Sequence, residues 1–206
     1  MRRLISQQRI QTTVQRLARQ IDRACREKSV TELMVVCVMD GAFIFSADLV
    51  RAMRTPTRIV FLQASSYVGT KKGATATATL PASWRGSLRG SLRGSPVLVA
   101  DTIYDTGRTI AKIVREVRRE VRGHVREKTN PVWLAVLIEK RGKAAVAAND
   151  QAQKVFTGIQ LSGDPFLIGY GLDVAGAFRD LPDITEYQKI ETRPDKPEGN
   201  RKQRAN

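Results

Sequence analysis

The chain has 206 residues, 42% of them hydrophobic and 6% aromatic, and its 35 Lys and Arg outnumber 20 Asp and Glu to give a formal net charge of +15. That length suits one domain with a full core. No apolar run approaches the roughly 20 residues that span a bilayer as a helix, and no secretory leader pattern opens the chain. The charge excess attracts polyanions, which fits nucleic acid or a phosphorylated substrate, and fits equally an Arg-rich solvated surface.

In chain order, residues 4–21 place Ile10, Val14, Leu17, Ala18 and Ile21 at helical spacing, with Ser6 positioned to cap the start. This stretch has several Arg and no acid, a composition shared with mitochondrial presequences. The apolar run Leu33–Met39 reads as a buried strand, Asp40-Gly41 ends it, and residues 42–53 read as a helix. Cys25 and Cys37 match no metal-ligand spacing, which points to reduced, buried thiols in a cytosol-like compartment.

Residues 58–64 form the next strand, closed by Ser65-Ser66-Tyr67. The stretch 68–81 is rich in Gly, Ala and Thr and fits an edge hairpin, a closing lid, or both. Residues 83–95 hold a tandem repeat built on Arg-Gly-Ser, read either as a tolerated loop expansion or as a cationic arm.

The most informative stretch is 96–109. Residues 97–100 are continuously apolar and rich in β-branched residues, too short for a helix, and read as a strand buried on both faces. Asp101 and Asp105 follow, and Thr106-Gly107-Arg108-Thr109 leads into a helical pattern over 110–127. A Gly turn between a buried strand and a helix presents free N–H groups and a favourable dipole to an anion. Phosphate on the N–H groups, with the two carboxylates on ribose hydroxyls or a metal, suits a sugar phosphate.

His124, the only histidine, lies near the outer half of that helical pattern, so the chemistry must proceed without histidine. Residues 131–138 are a further strand, followed by Glu139-Lys140-Arg141-Gly142. Residues 164–181 read Asp-Pro-Phe-Leu-Ile-Gly-Tyr-Gly-Leu-Asp-Val-Ala-Gly-Ala-Phe-Arg-Asp-Leu, and from residue 193 the chain is a polar, basic tail.

These motifs resemble the hypoxanthine-guanine branch of the type I phosphoribosyltransferases, over about residues 4–184. An apolar strand, acid, Asp-Thr-Gly-x-Thr, a strand-end Lys140, and the Phe166–Asp173 segment with a later Arg179 carry the resemblance. Two positions depart from it: Thr102 stands where the family has a second acid, and Asp40 where it commonly has lysine.

The resemblance implies an α/β fold with a central parallel sheet, flanking helices and a small hood, in a single domain over 1–192 with the loop expansion at 83–95 and a tail at 193–206. It also makes residues 4–21 part of the mature fold. It implies transfer of ribose 5-phosphate from phosphoribosyl diphosphate (PRPP) to a 6-oxopurine, with Mg²⁺. Asp105 is then the catalytic residue at purine N7. Thr106, Gly107, Arg108 and Thr109 hold the 5-phosphate, Gly41 and Arg179 the pyrophosphate, Asp101 the ribose or metal, and Asp173 the metal. Ile103, Lys140, Phe166 and Leu167 face the purine, and Tyr67 shields the sugar. A homodimer or homotetramer in the cytoplasm is implied, with a mitochondrial site as the alternative. The two departures and the net charge leave open a second reading, a catalytically weakened relative that binds RNA non-specifically.

Overall fold

The computed structural model describes residues 1–68, 71–79, 94–122, 130–141 and 152–188. Residues 69–70 and 80–81 of the stretch read as hairpin or lid, the repeat over 83–93, His124 and the tail at 193–206 lie outside the described residues. The elements are β1 (Arg2–Ile5), α1 (Gln7–Glu27), β2 (Leu33–Met39), α2 (Phe43–Ala52), β3 (Thr57–Val68) and β4 (Lys71–Thr79). They continue with β5 (Val97–Tyr104), α3 (Arg108–Arg122), β6 (Val132–Arg141), β7 (Lys154–Ser162), β8 (Leu167–Ile168) and β9 (Ile184–Glu186).

One sheet runs β4-β3-β2-β5-β6-β7. Its five strands β3, β2, β5, β6 and β7 are parallel, and β4 adds antiparallel to β3 at the edge. Leu33 to Cys37 and Val97 to Ala100 are fully buried, as strands covered on both faces must be.

On one face, Ile10, Val14, Leu17 and Ile21 of α1 and Phe45 and Leu49 of α2 pack on Val35, Leu98, Ala100 and Ala135. On the other, Ile110, Ile113, Val114 and Val117 of α3 pack on Val36, Val97, Val99 and Val136. Each Val, Leu, Ile and Phe side chain among these contributes about 1.5–3 kcal/mol by leaving water, so α1 and α3 are held by their apolar stripes. Cys25 belongs to the first layer and Cys37 to the second. Both are free and buried, as anticipated, and burial raises both thiols above their ordinary pKa.

The second sheet, β1-β9-β8, is the small hood. It joins the start of the chain to residues 184–186, pairing Arg2 with Glu186 in antiparallel register. Ser6 caps α1 as anticipated, its hydroxyl accepting from the Arg9 N–H at 3.4 Å, while Asp183 of the hood accepts from the Gln7 N–H at 2.7 Å. The Tyr170 hydroxyl donates to Asp48 of α2 at 2.7 Å, which fastens the hood to the sheet layers. Burial and the Asp48 carboxylate together push that phenol well above its ordinary pKa.

Several boundaries differ from the sequence reading. β5 continues past residue 100 to Tyr104 because β6 lies alongside it, pairing Asp101 with Val136 and Ile103 with Ile138. β3 runs through Tyr67, and its pairing with β4 makes the stretch an edge hairpin. Asp22 is buried near the end of α1, where it accepts from the Arg54 and Thr55 N–H groups at 2.9 Å each and from the Thr55 hydroxyl at 2.8 Å. That junction sets where β3 begins. Among the described residues, no helix is long and apolar enough to cross a membrane.

Candidate active site at the strand ends

Parallel strands end together at one edge of the sheet, and in open α/β sheets ligands gather there. The end of β2 leads to the Asp40-Gly41 turn, β5 to Asp105 and the Thr106–Arg108 turn, and β6 ends with Lys140 and Arg141. The segment after β8, residues 169–180, folds back over the same edge. Gly171 has φ +94°, and a Cβ there would run into the Gly41 carbonyl, so only glycine lets the two turns approach this closely.

At the second turn, Gly107 has φ +73° and opens α3. A Cβ on it would collide with the hydroxyl and ring of Tyr104, which is buried beneath the turn. The Ala111 N–H already donates to the Gly107 carbonyl at 2.7 Å, whereas the N–H groups of the first helical residues have no intrahelical acceptor. Free N–H groups at a helix start suit an anion, and Thr106, the exposed Arg108 and Thr109 rim this turn.

Asp101 and Ile103 share a face of β5, with Asp101 only partly accessible. One Asp101 oxygen accepts from the Thr102 N–H at 2.7 Å. Burial nevertheless dominates and pushes its carboxyl up to about 7, with the Thr102 and Ile103 N–H groups pulling the other way. Thr102 is wholly buried, and its hydroxyl donates to the Gly41 carbonyl at 2.8 Å.

Lys140 is buried at 8% exposure, with its ammonium 3.0 Å from Asp164 and 4.0 Å from Asp105. Asp105 Oδ1 is buried without a hydrogen-bond partner. An orphaned carboxylate oxygen beside a buried ammonium is costly unless a ligand completes it. Phe166 stands nearby in sequence order after Asp164, 46% exposed, its ring edge-on to Tyr187 at 6.0 Å. Leu167 is buried in β8, where it pairs with Glu186 of β9.

Arg179 Nη2 lies 3.0 Å from Asp173 and 3.9 Å from Asp40, and its Nη1 donates to the Gly171 carbonyl at 2.6 Å. The other Asp173 oxygen accepts from the Gly176 N–H at 2.7 Å. The backbone of Tyr67 lies in β3, paired with Lys72 of β4.

The structure thus gathers Asp101, Asp105, the 106–109 turn, Gly41, Lys140 and Arg179 at one sheet edge. Sequence reasoning did not find Asp164 as the partner of Lys140, nor the pairing of Asp40 with Arg179. A cavity of about 180 Å³ lined by Gln7, Asp48, Tyr170 and Pro182 lies behind the hood. It is smaller than ordinary ligand sites and contains none of the candidate catalytic residues.

Among the described residues there is no cluster of three or more metal-ligating side chains. Mg²⁺ does not require one, since it is commonly held by one or two carboxylates, waters and substrate phosphates. Asp101 fits such a site, because a cation would offset the burial that holds its carboxyl near 7. Asp173 has both oxygens engaged, so it would meet a cation only by exchanging Arg179 for it.

Comparison with known proteins agrees with this geometry. Residues 3–173 match the family described as phosphoribosyl transferase domain. The chain is 38% identical over 64 residues to the hypoxanthine phosphoribosyltransferase of Haemophilus influenzae, an alignment covering 31% of this chain and 36% of that enzyme. The matched segment therefore spans about a third of that relative's length. Coverage is far greater among solved structures. A hypoxanthine-guanine phosphoribosyltransferase from Bacillus anthracis superposes with TM-score 0.71 and 27% identity, over 91% of this chain and 99% of that one. Hypoxanthine phosphoribosyltransferase from Trypanosoma cruzi, in complex with the product IMP, superposes with TM-score 0.70 and 26% identity over 91% and 94%. The parallel sheet with its hood, the glycine turn that opens α3 and these matches lead to one conclusion: the chain belongs to the phosphoribosyl transferase domain family.

Proposed function

We propose that the chain is a purine salvage enzyme that transfers ribose 5-phosphate from PRPP to N9 of hypoxanthine or guanine. The products are IMP or GMP and pyrophosphate. The observation that carries this reading is the pairing of a buried ammonium with a partly exposed carboxylate whose Oδ1 is buried. Lys140 is a donor and the orphaned Asp105 oxygen an acceptor, 4.0 Å from ammonium to carboxylate. A 6-oxopurine offers the complementary edge, O6 as acceptor beside an N7–H donor, whereas a 6-amino group would set donor against donor.

In the reaction the bond from C1′ to the pyrophosphate oxygen breaks and the N9–C1′ bond forms, through a sugar with oxocarbenium character. Asp105 receives the proton that N7 gives up as N9 bonds. The 106–109 turn holds the 5-phosphate and Asp101 the ribose hydroxyls. Gly41 and Arg179 hold the pyrophosphate. Phe166 and Ile103 sandwich the purine, and the Leu167 backbone meets its edge. Tyr67, on the edge hairpin, shields the sugar from water. Mg²⁺, when bound at Asp101 with Asp173 near, supplies positive charge to the departing pyrophosphate.

The enzyme acts as one domain over 1–192 and as a homodimer or homotetramer in the cytoplasm. Ile59 and Phe61, two apart on β3 and 41% and 55% exposed, support contact between copies. Reduced buried thiols suit that compartment. The relatives favour the transferase over a repurposed RNA-binding protein. The test is pyrophosphate release from Mg-PRPP with hypoxanthine, guanine, xanthine and adenine, beside Asp105→Asn. Turnover limited to 6-oxopurines and lost in the variant is expected; folded protein that turns over no base refutes the reading.

A further inference from the structure

The turn after β2 carries a carboxylate at a place intended for an anion. Asp40 is 54% exposed and faces Arg179, itself 27% exposed, at 3.9 Å, an ion pair and not a hydrogen bond. Taken alone, an acid there would repel pyrophosphate. The surrounding contacts give it another part.

The turn itself is fixed from two sides. Thr102 donates to the Gly41 carbonyl at 2.8 Å, and Gly171 packs against that same carbonyl. Arg179 is fastened to the opposite turn by the Gly171 carbonyl and lies between Asp40 and Asp173. The result is a row of carboxylate, guanidinium and carboxylate along the rim of the strand ends. Asp173, at 3.0 Å, is the nearer anion. An incoming pyrophosphate must compete with it for the guanidinium.

A guanidinium released by Asp173 keeps only the Gly171 carbonyl, and the freedom it regains must be given up again when pyrophosphate binds. An anion on a fixed turn limits that freedom at the moment of exchange. We propose that Asp40 is a positioning residue, holding Arg179 over the turn after β2 so that its fork stays presented to pyrophosphate when Asp173 lets go. The proposal rests on the transferase reading for the identity of the ligand. It assigns a role to the acid that departs from the family pattern.

Magnitude sets the expectation. Ion pairs this exposed contribute about 0.2–1 kcal/mol, equivalent to at most about fivefold in affinity. The experiment is calorimetric titration of Mg-pyrophosphate, and separately of IMP, into the full chain, Asp40→Asn, Asp40→Glu, Arg179→Gln and the double variant Asp40→Asn/Arg179→Gln. Asp40→Asn should weaken pyrophosphate about two- to fivefold, leave IMP affinity unchanged, and add nothing once Arg179 is gone. Asp40→Glu should recover most of the loss. In steady state the PRPP KM should rise with kcat nearly constant.

Equal or tighter pyrophosphate binding by Asp40→Asn overturns the proposal, as does an equal loss in the Arg179→Gln background. A matching loss of IMP affinity would mark a folding role and also overturn it, and so would a parent chain that binds no pyrophosphate. A parent that binds pyrophosphate with the expected coupling but turns over no 6-oxopurine leaves the positioning role intact and refutes the transferase reading alone.

Discussion

The Thr102 hydroxyl donates to the Gly41 carbonyl across 2.8 Å, tying the end of β5 to the turn after β2 by a side chain that has no exposure to solvent. An aspartate at this position could not donate to a carbonyl and would bury a charge against it. Thr102→Val should therefore destabilise the fold by about 1–3 kcal/mol, the cost of leaving a buried carbonyl unpaired. It should also raise the PRPP KM more than the hypoxanthine KM, because the freed turn is the one proposed to hold pyrophosphate. Thr102→Ser should behave like the parent. Urea melts of the three proteins decide the first point, and a valine variant as stable as the parent would show that the bond does not join the strands.

Lys140 sits between two carboxylates, and replacing it with methionine keeps the stem while removing the charge. The loss leaves Asp105, 31% exposed with its Oδ1 buried, with neither its cation nor a ligand. A hydrogen bond from a charged donor is worth about 1.5–3 kcal/mol, so kcat/KM for hypoxanthine should fall by roughly tenfold or more. The preference for hypoxanthine over adenine should shrink with it, since the donor that opposes a 6-amino group is gone. An unchanged ratio of the two kcat/KM values would mean that Lys140 does not read the 6-position.

Burial lifts the Asp101 carboxyl from its ordinary 3.8 to about 7. The folded chain thus holds this proton more tightly than the unfolded chain does. The associated stability is complete below the unfolded value and is lost as pH rises through about 7. Asp101→Asn has no proton to lose there. The melting midpoint of the variant minus that of the parent should therefore grow between pH 5 and pH 8. Mg-PRPP should act in the opposite sense, favouring the carboxylate, so PRPP affinity should rise with pH more steeply in the parent than in the variant. Parallel melting curves across that range would place the Asp101 titration elsewhere.

Gly107→Ala combines a left-handed backbone with a collision against Tyr104. Strain of about 1–3 kcal/mol is expected for such a residue, before the turn reshapes to avoid the ring. Reshaping would aim the N–H groups away from the 5-phosphate, so IMP affinity should fall by an order of magnitude or more. Tyr104→Phe in the same chain removes the hydroxyl but neither the ring nor the dihedral angle, and should recover only part of the melting temperature. Full recovery of IMP binding would show that the hydroxyl alone forbids a side chain.

What the sequence made legible follows from how far apart the interacting residues lie. The buried strands β2 and β5, the helices α1 and α3 and the glycine turn between β5 and α3 were readable because each is written in consecutive residues. β7 was not singled out: its Lys154–Ser162 pattern is half exposed, broken by Gly158, and sits at the sheet edge. The extension of β5 to Tyr104 needed β6 beside it. Asp164, the Asp40–Arg179 pair and the inward-turned Thr102 hydroxyl are contacts between segments distant in the chain. Residue types alone marked Thr102 and Asp40 as departures, but only the folded neighbours show that both act on one turn.

The two cysteines divide evenly between the layers, Cys25 on the buried side of α1 on one face and Cys37 against the α3 face on the other. No other thiol exists in the chain. Each layer therefore carries its own chemical reporter, silent while that face stays shut. Pulsed alkylation followed by peptide mapping would time the opening of the two faces separately in the unaltered protein. Equal rates would mean that the sheet loses both coverings in one cooperative event; unequal rates would identify the face that yields first.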